Sequence, residues 1–125
     1  MIMIIGGAYQ GKLAFAQEKY PDVIWTDGKI CSEKELEDAQ GIYGFHHYIE
    51  RRIKSGKPVE GLAEDLIRKN PSVMIITDEI GYGIVPIDKT EREYREMTGR
   101  ICTRLAAFSE KVYRVTCGVG QTIKE

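Results

Sequence analysis

Three short stretches of this 125-residue sequence carry residue types that could do chemistry: GGAYQGK at residues 6–12, the adjacent pair His46-His47, and the carboxylates Asp78-Glu79. The first has the spacing G-x-x-x-x-G-K through Gly6, Gly11 and Lys12. Its glycines, with Gly7 and Ala8 beside them, let backbone N–H groups curl around phosphate oxygens. A helix starting at Lys12 adds the partial positive charge of its N-terminus, and Lys12 adds a full one. The next residue normally offers a hydroxyl to Mg²⁺, and here it is Leu13. Three readings follow: the metal is held otherwise, phosphate is bound without efficient transfer, or the loop is only a turn.

Asp78 and Glu79 end the apolar run VMIIT, where a second anchor for Mg²⁺ is expected. They would equally cap a strand end in solvent. The histidines are judged from the stripe Ile42, Phe45, Ile49 and Ile53. At about 100° per residue, a helix puts His46 on the flank of that stripe and His47 nearly opposite it. His46 is then a packed or hydrogen-bonded helper, and His47 faces outward one turn from Arg51. A nearby cation keeps an imidazole neutral and nucleophilic, and it also attracts phosphate. An exposed histidine without a role is the plain competing reading.

The elements that must hold these residues alternate along the chain. Residues 2–5 form a short apolar strand, and a helix from Lys12 is closed by Pro21. A second strand is expected at residues 23–25. Ser32 with Glu35 makes a capping box for a helix from Glu33. Pro58 could open a further helix with Leu62, Leu66 and Ile67 inside, ended by Asn70-Pro71. The strand VMIIT follows, then the loop GYGIVP. A long helix capped by Asp88 or Thr90 buries Tyr94, Met97, Ile101, Leu105 and Phe108. Residues 112–115 form a last strand, with a possible short edge at QTIK. Alternating strands and helices imply a mainly parallel sheet with helices on both faces. Ligands bind beyond the carboxyl ends of such strands, where Gly6-Gly7, Asp27, Asp78-Glu79 and Gly118 fall.

Composition bounds the rest. A length of 125 residues suits one domain spanning 1–125, with 42% hydrophobic and 30% charged residues as in an ordinary globular protein. A net charge of -1 gives no footprint for nucleic acid. The basic cluster Arg51, Arg52, Lys54 and Lys57 reads mainly as a solvated face. Three cysteines without metal-ligand spacing point to a reducing compartment. MIMII is too short for a signal core and no stretch is long enough to span a membrane, so the expectation is cytoplasmic.

The stretch from ITDEIGYGIVP onward resembles the bifunctional adenosylcobinamide kinase/adenosylcobinamide-phosphate guanylyltransferase family. That family's pattern is N-E-V-G-x-G-I-V-P, then F-R-D-x-x-G-R-x-N-Q-x-L-A and a strand ending in S-G. Glu79, Gly81, Gly83, Ile84, Val85 and Pro86 match, as do Arg95, Gly99, Arg100, Leu105 and Ala106. GGAYQGK resembles the family's G-G-A-R-S-G-K. HHYIERR resembles its R-I-x-x-H-x-x-x-R-P, whose histidine becomes guanylylated, and His47 is the better match. The departures are Gln10 for Ser, Leu13 for the loop hydroxyl, Asp78 for Asn, Glu96 for Asp and Cys102-Thr103 for Asn-Gln. The family's middle strand with its acidic D-C-L-T-x-W has no counterpart, and Asp78 could stand in for that acid.

The resemblance implies an α/β fold, P-loop NTPase-like, with three α/β/α layers around a mainly parallel sheet. It implies a protein of cobalamin biosynthesis that phosphorylates the aminopropanol hydroxyl of adenosylcobinamide with GTP or ATP and passes GMP through histidine. Lys12 and His47 would be catalytic. Gly6, Gly7, Ala8, Gly11, Lys12 and Arg51 would hold nucleotide, and Asp78 and Glu79 would hold Mg²⁺. The partners are a nucleotide and a corrinoid, without nucleic acid or membrane. A homo-oligomer is expected, with a trimer suggested. The alternative is a degenerate, non-catalytic member of the same fold that binds nucleotide or a partner.

Overall fold

The computed structural model describes residues 1–80 and 88–125; the GYGIVP motif at 81–86, on which part of the resemblance rests, lies outside them. The apolar run at the start forms β1 (Ile2–Gly6), and α1 (Lys12–Lys19) follows it. Next come β2 (Trp25–Asp27), α2 (Glu33–Asp38), β3 (Gly41–Tyr43), α3 (Phe45–Lys54) and α4 (Leu62–Lys69). The chain continues through β4 (Met74–Asp78), α5 (Lys89–Phe108), β5 (Lys111–Thr116) and β6 (Val119–Lys124). The sheet order is β2-β3-β4-β1-β5-β6, and every neighbouring pair is parallel except β5 with β6.

Successive strand residues point to opposite faces, so the sheet carries two cores. Met3, Ile42, Ile75 and Val112 pack against α2 to α5, with Phe45, Ile49, Leu66 and Leu105 among the facing side chains. Ile4, Ile76, Tyr113 and Val115 pack on the other face against α1, through Ala16, Leu13 and Phe15. The molecule is therefore the expected three-layer α/β/α arrangement. Its one antiparallel strand, β6, lies at the edge with all six residues exposed.

Local chemistry explains most of the boundaries. Ser32 Oγ accepts from Glu35 N–H while Glu35 reaches back to Ser32 N–H, a complete capping box. Asp88 caps α5 by accepting from Thr90 N–H. Four expectations are corrected. Strand β2 starts at Trp25, because only residues 25–27 pair with β3. Gly61, in the left-handed region at φ 78°, opens α4, whereas Pro58 lies outside it. Residues 41–43 are a strand of their own, so the apolar stripe begins in β3 and becomes helical only at Phe45. Phe108 ends α5 at 39% exposure and is not core.

Candidate functional site

The first strand delivers the glycine loop to the carboxyl end of the sheet. Gly6 pairs level with Asp78 across β1 and β4, and Glu79 N–H donates to the Gly6 carbonyl at 2.8 Å. Gly11 takes a left-handed φ of 84° and opens α1 with no side-chain cap, and the first-turn N–H groups of a helix have no partners within it. The loop is tied down from the far side. Gln10 Oε1 accepts from Cys117 N–H at 2.7 Å, and the Gln10 carbonyl accepts from Gly118 N–H at 2.8 Å.

Lys12 is buried beneath this loop. Its Nζ donates to the Gly7 carbonyl at 2.6 Å and pairs with Asp78 Oδ1 at 2.7 Å. Asp78 is held from the other side by His46. The His46 Nδ1 accepts from Asp78 N–H at 3.2 Å, and Nε2 lies 3.3 Å from Asp78 Oδ2. Burial lowers the His46 pKa to about 4, with the His47 and Lys12 charges adding to that and the Asp78 carboxylate opposing it. Neutral His46 thus accepts at Nδ1 and carries its proton at Nε2, towards Asp78. Both ring nitrogens are engaged, and the ring is a positioning group.

His47 is different. Its ring leans on that of His46 with centroids 4.0 Å apart, is half-buried, and borders the cavity above the loop. The outward orientation expected from the helical wheel is corrected: β3 and Gly44 turn this side of α3 towards the loop. The cavity is about 560 Å³, walled by residues 8–14, the two histidines and Asp78, with Tyr43 and Asp27 opposite.

Two expected site residues lie elsewhere. Arg51 donates to the Gly28 carbonyl at 2.9 Å and the Cys31 carbonyl at 2.6 Å. It fastens α3 to the turn after β2 and does not border the cavity. Glu79 points to the opposite face of the sheet from the loop, where it pairs with Arg114 at 2.7 Å. Asp27, absent from the candidate set, does border the cavity, with Oδ1 accepting from Lys29 N–H at 2.9 Å. Its position at a strand's carboxyl end was the available signal.

For Mg²⁺ the donor set is thin. Among the described residues no three His, Cys, Asp or Glu side chains converge. Both Asp78 oxygens are engaged, Glu79 faces away, and Leu13 brings no oxygen. The described residues as arranged do not by themselves make a protein-held metal site.

The model of the family described as cobinamide kinase / cobinamide phosphate guanyltransferase, CobU, matches residues 40–123. That span is more than half of the chain and contains β3, both histidines, Asp78 and α5. The chain belongs to this family. The CobU match begins after the glycine loop, which therefore rests on its own geometry. Two curated relatives are similar over 52 residues: the bifunctional adenosylcobalamin biosynthesis protein CobU of Salmonella typhimurium, at 42% identity, and its namesake from Escherichia coli, at 40%. In each comparison the matched stretch spans 42% of this chain and only 29% of the relative. Among the described residues, no helix is long and apolar enough to cross a membrane.

Proposed function

We propose that this CobU-family chain is a nucleotide-dependent transferase acting on a corrinoid: a cobinamide kinase and cobinamide-phosphate guanylyltransferase. The observation that carries this reading is the convergence of Lys12 and the His47 imidazole, without a hydrogen bond among the described residues, on one cavity at the mouth of a strand–loop–helix. The loop from Gly6 to Gly11, through Gly7 and Ala8, would present N–H groups to the nucleotide phosphates, with Lys12 as their cation. GTP or ATP would have to draw Lys12 away from Asp78. Mg²⁺ would then be held chiefly by the nucleotide's own phosphates, with Asp78 the nearest carboxylate, as one or two carboxylates suffice for this ion.

In the guanylyl half, a neutral His47 nitrogen attacks the α-phosphorus of GTP. An N–P bond forms, the bond to the bridging oxygen breaks, and pyrophosphate leaves. A phosphate oxygen of the acceptor then attacks the same phosphorus, the N–P bond breaks and neutral His47 returns. In the kinase half, the acceptor's alcohol oxygen bonds to the γ-phosphorus, the nucleoside diphosphate leaves, and the alcohol proton passes to water or a carboxylate. His46, with both nitrogens engaged, leaves His47 as the nucleophile.

The test is an intact mass after incubation with GTP and Mg²⁺, wild type beside His47→Ala. A GMP-sized, acid-labile adduct on wild type alone is the expected result. No adduct on either would remove the guanylyl half, and a GTP titration with Lys12→Ala would then separate a kinase from a binder.

The second reading, a non-catalytic nucleotide binder, is favoured by Leu13. Its side chain joins Ile76 in an apolar part of the cavity wall, where a hydroxyl would be useful for transfer. The exposed edge strand β6, with Val119 70% and Ile123 51% exposed, supports the homo-oligomer, and light scattering would give its order. A cytoplasmic location fits the three free cysteines.

A further inference from the structure

A second cavity of about 260 Å³ opens on the other face of the sheet, between α5 and the carboxyl ends of β1, β4 and β5. Asp78 borders both cavities, so both lie at the carboxyl end of β4. The two differ in chemistry. Among the described residues, the second has an apolar wall, made by Ile5, Ala106 and neighbouring side chains. Among the described residues its charged groups beyond Asp78 are Glu79 and Arg114, which pair at 2.7 Å.

One polar group in this wall is unexplained. Thr98 is 2% exposed, borders the cavity, and its Oγ1 has no hydrogen-bond partner among the described residues. A buried hydroxyl without a partner is destabilising, and a ligand with a hydroxyl or amide would satisfy it. The Cys102 thiol beside it is pushed up to about 11 by burial, so it stays protonated and adds no charge. Such a cavity fits a neutral aliphatic chain carrying hydroxyl or amide groups. A nucleotide phosphate would meet the Glu79 carboxylate, and the cation beside it, Arg114, is already paired with that carboxylate.

We propose that this cleft is the acceptor subsite, holding the neutral, alcohol-bearing aliphatic arm of the acceptor so that its hydroxyl reaches the phosphate loop beside Asp78. Nucleotide enters from the α1 face and acceptor from the α5 face. A volume of about 260 Å³ suits an arm, while the bulk of a corrinoid would remain outside. The assignment rests on the transferase reading for the acceptor's identity, but its location stands on the cleft alone.

Two variants of the full chain test it, with adenosylcobinamide followed by equilibrium dialysis and GTP by a separate titration. Thr98→Val removes the orphan hydroxyl at nearly constant shape. Gly99→Leu puts a side chain where a Cβ meets nothing within 4 Å, on a helix that gains propensity by the change. The expected result is a roughly tenfold weaker cobinamide affinity for Thr98→Val and a larger loss for Gly99→Leu, with GTP affinity unchanged in both. Cobinamide binding unchanged in both variants overturns the proposal, as does a wild type that binds GTP and no cobinamide. A wild type that binds cobinamide but no GTP, and loses cobinamide in the variants, keeps the cleft and removes the nucleotide reading.

Discussion

Lys12 Nζ and Asp78 Oδ1 lie 2.7 Å apart, so the cation of the glycine loop already has a carboxylate on it. A phosphate that binds must compete with that carboxylate, because one ammonium cannot fully serve both. Asp78→Asn keeps the shape and the contact with His46 but removes the charge. Pyrophosphate titrated in the presence of a chelator should then bind about tenfold more tightly than to wild type, a change of about 1.4 kcal/mol. Unchanged affinity would show that Asp78 does not limit access to Lys12. With Mg²⁺ present, the variant should show a smaller metal-dependent gain in nucleotide affinity.

His46 links the same cluster to pH. Its folded-state pKa is depressed to about 4, chiefly by burial, against an ordinary value near 6.5. Above pH 6.5 both states are neutral at this residue and it contributes no pH dependence. Between about 6.5 and 4 the unfolded chain takes up a proton that the folded chain refuses, so stability falls as pH falls. The cost at the acid end is on the order of 3 kcal/mol. Denaturant unfolding at pH 7 and pH 4.5 should therefore show a larger drop for wild type than for His46→Gln. Equal drops would mean that His46 protonates normally in the fold.

Much of this is legible in the sequence. The capping box at Ser32 and Glu35, the strand VMIIT and the glycine loop are local signals, and each sits as expected. The misses share a cause: they depend on partners far away in sequence. Strand β3 has three residues, one of them a glycine, too little for any periodicity; it is defined by its pairing with β2 and β4, and Gly41 lies against the Trp25 ring, where a Cβ would stand 2.6 Å from it. The i, i+4 spacing placed Arg51 near His47, but two carbonyls after β2 take its guanidinium. The separation of Asp78 from Glu79 could have been foreseen, since adjacent strand residues face opposite sides. The order of sheet strands, which lets His46 meet Asp78, has no local signal at all.

Leu13 is where the loop departs most from a metal-using one. Its side chain is half-buried among the apolar residues packed on α1. Leu13→Thr should lower stability by about 1 kcal/mol through lost burial. It should also give GTP binding a stronger dependence on Mg²⁺, as the new hydroxyl adds an oxygen where wild type has none. Titrations of both proteins with and without the ion measure this. An identical Mg²⁺ dependence would mean that the side chain at this position does not reach the phosphates.

The two loop glycines make different demands and can be separated. A Cβ on Gly6 would stand 2.5 Å from the Val115 carbonyl, a backbone atom fixed in β5 next to β1. That carbonyl cannot retreat without disturbing the sheet, so Gly6→Ala should destabilise the fold by about 1–3 kcal/mol. A Cβ on Gly7 meets only the Gln10 Cγ at 3.7 Å, ordinary contact. Gly7→Ala should leave the melting temperature nearly unchanged. Any loss of nucleotide affinity in that variant then reports on how closely phosphate approaches the loop backbone. Equal melting temperatures for the two variants would show that β5 yields at Val115, and the closeness of β1 to β5 would no longer account for Gly6.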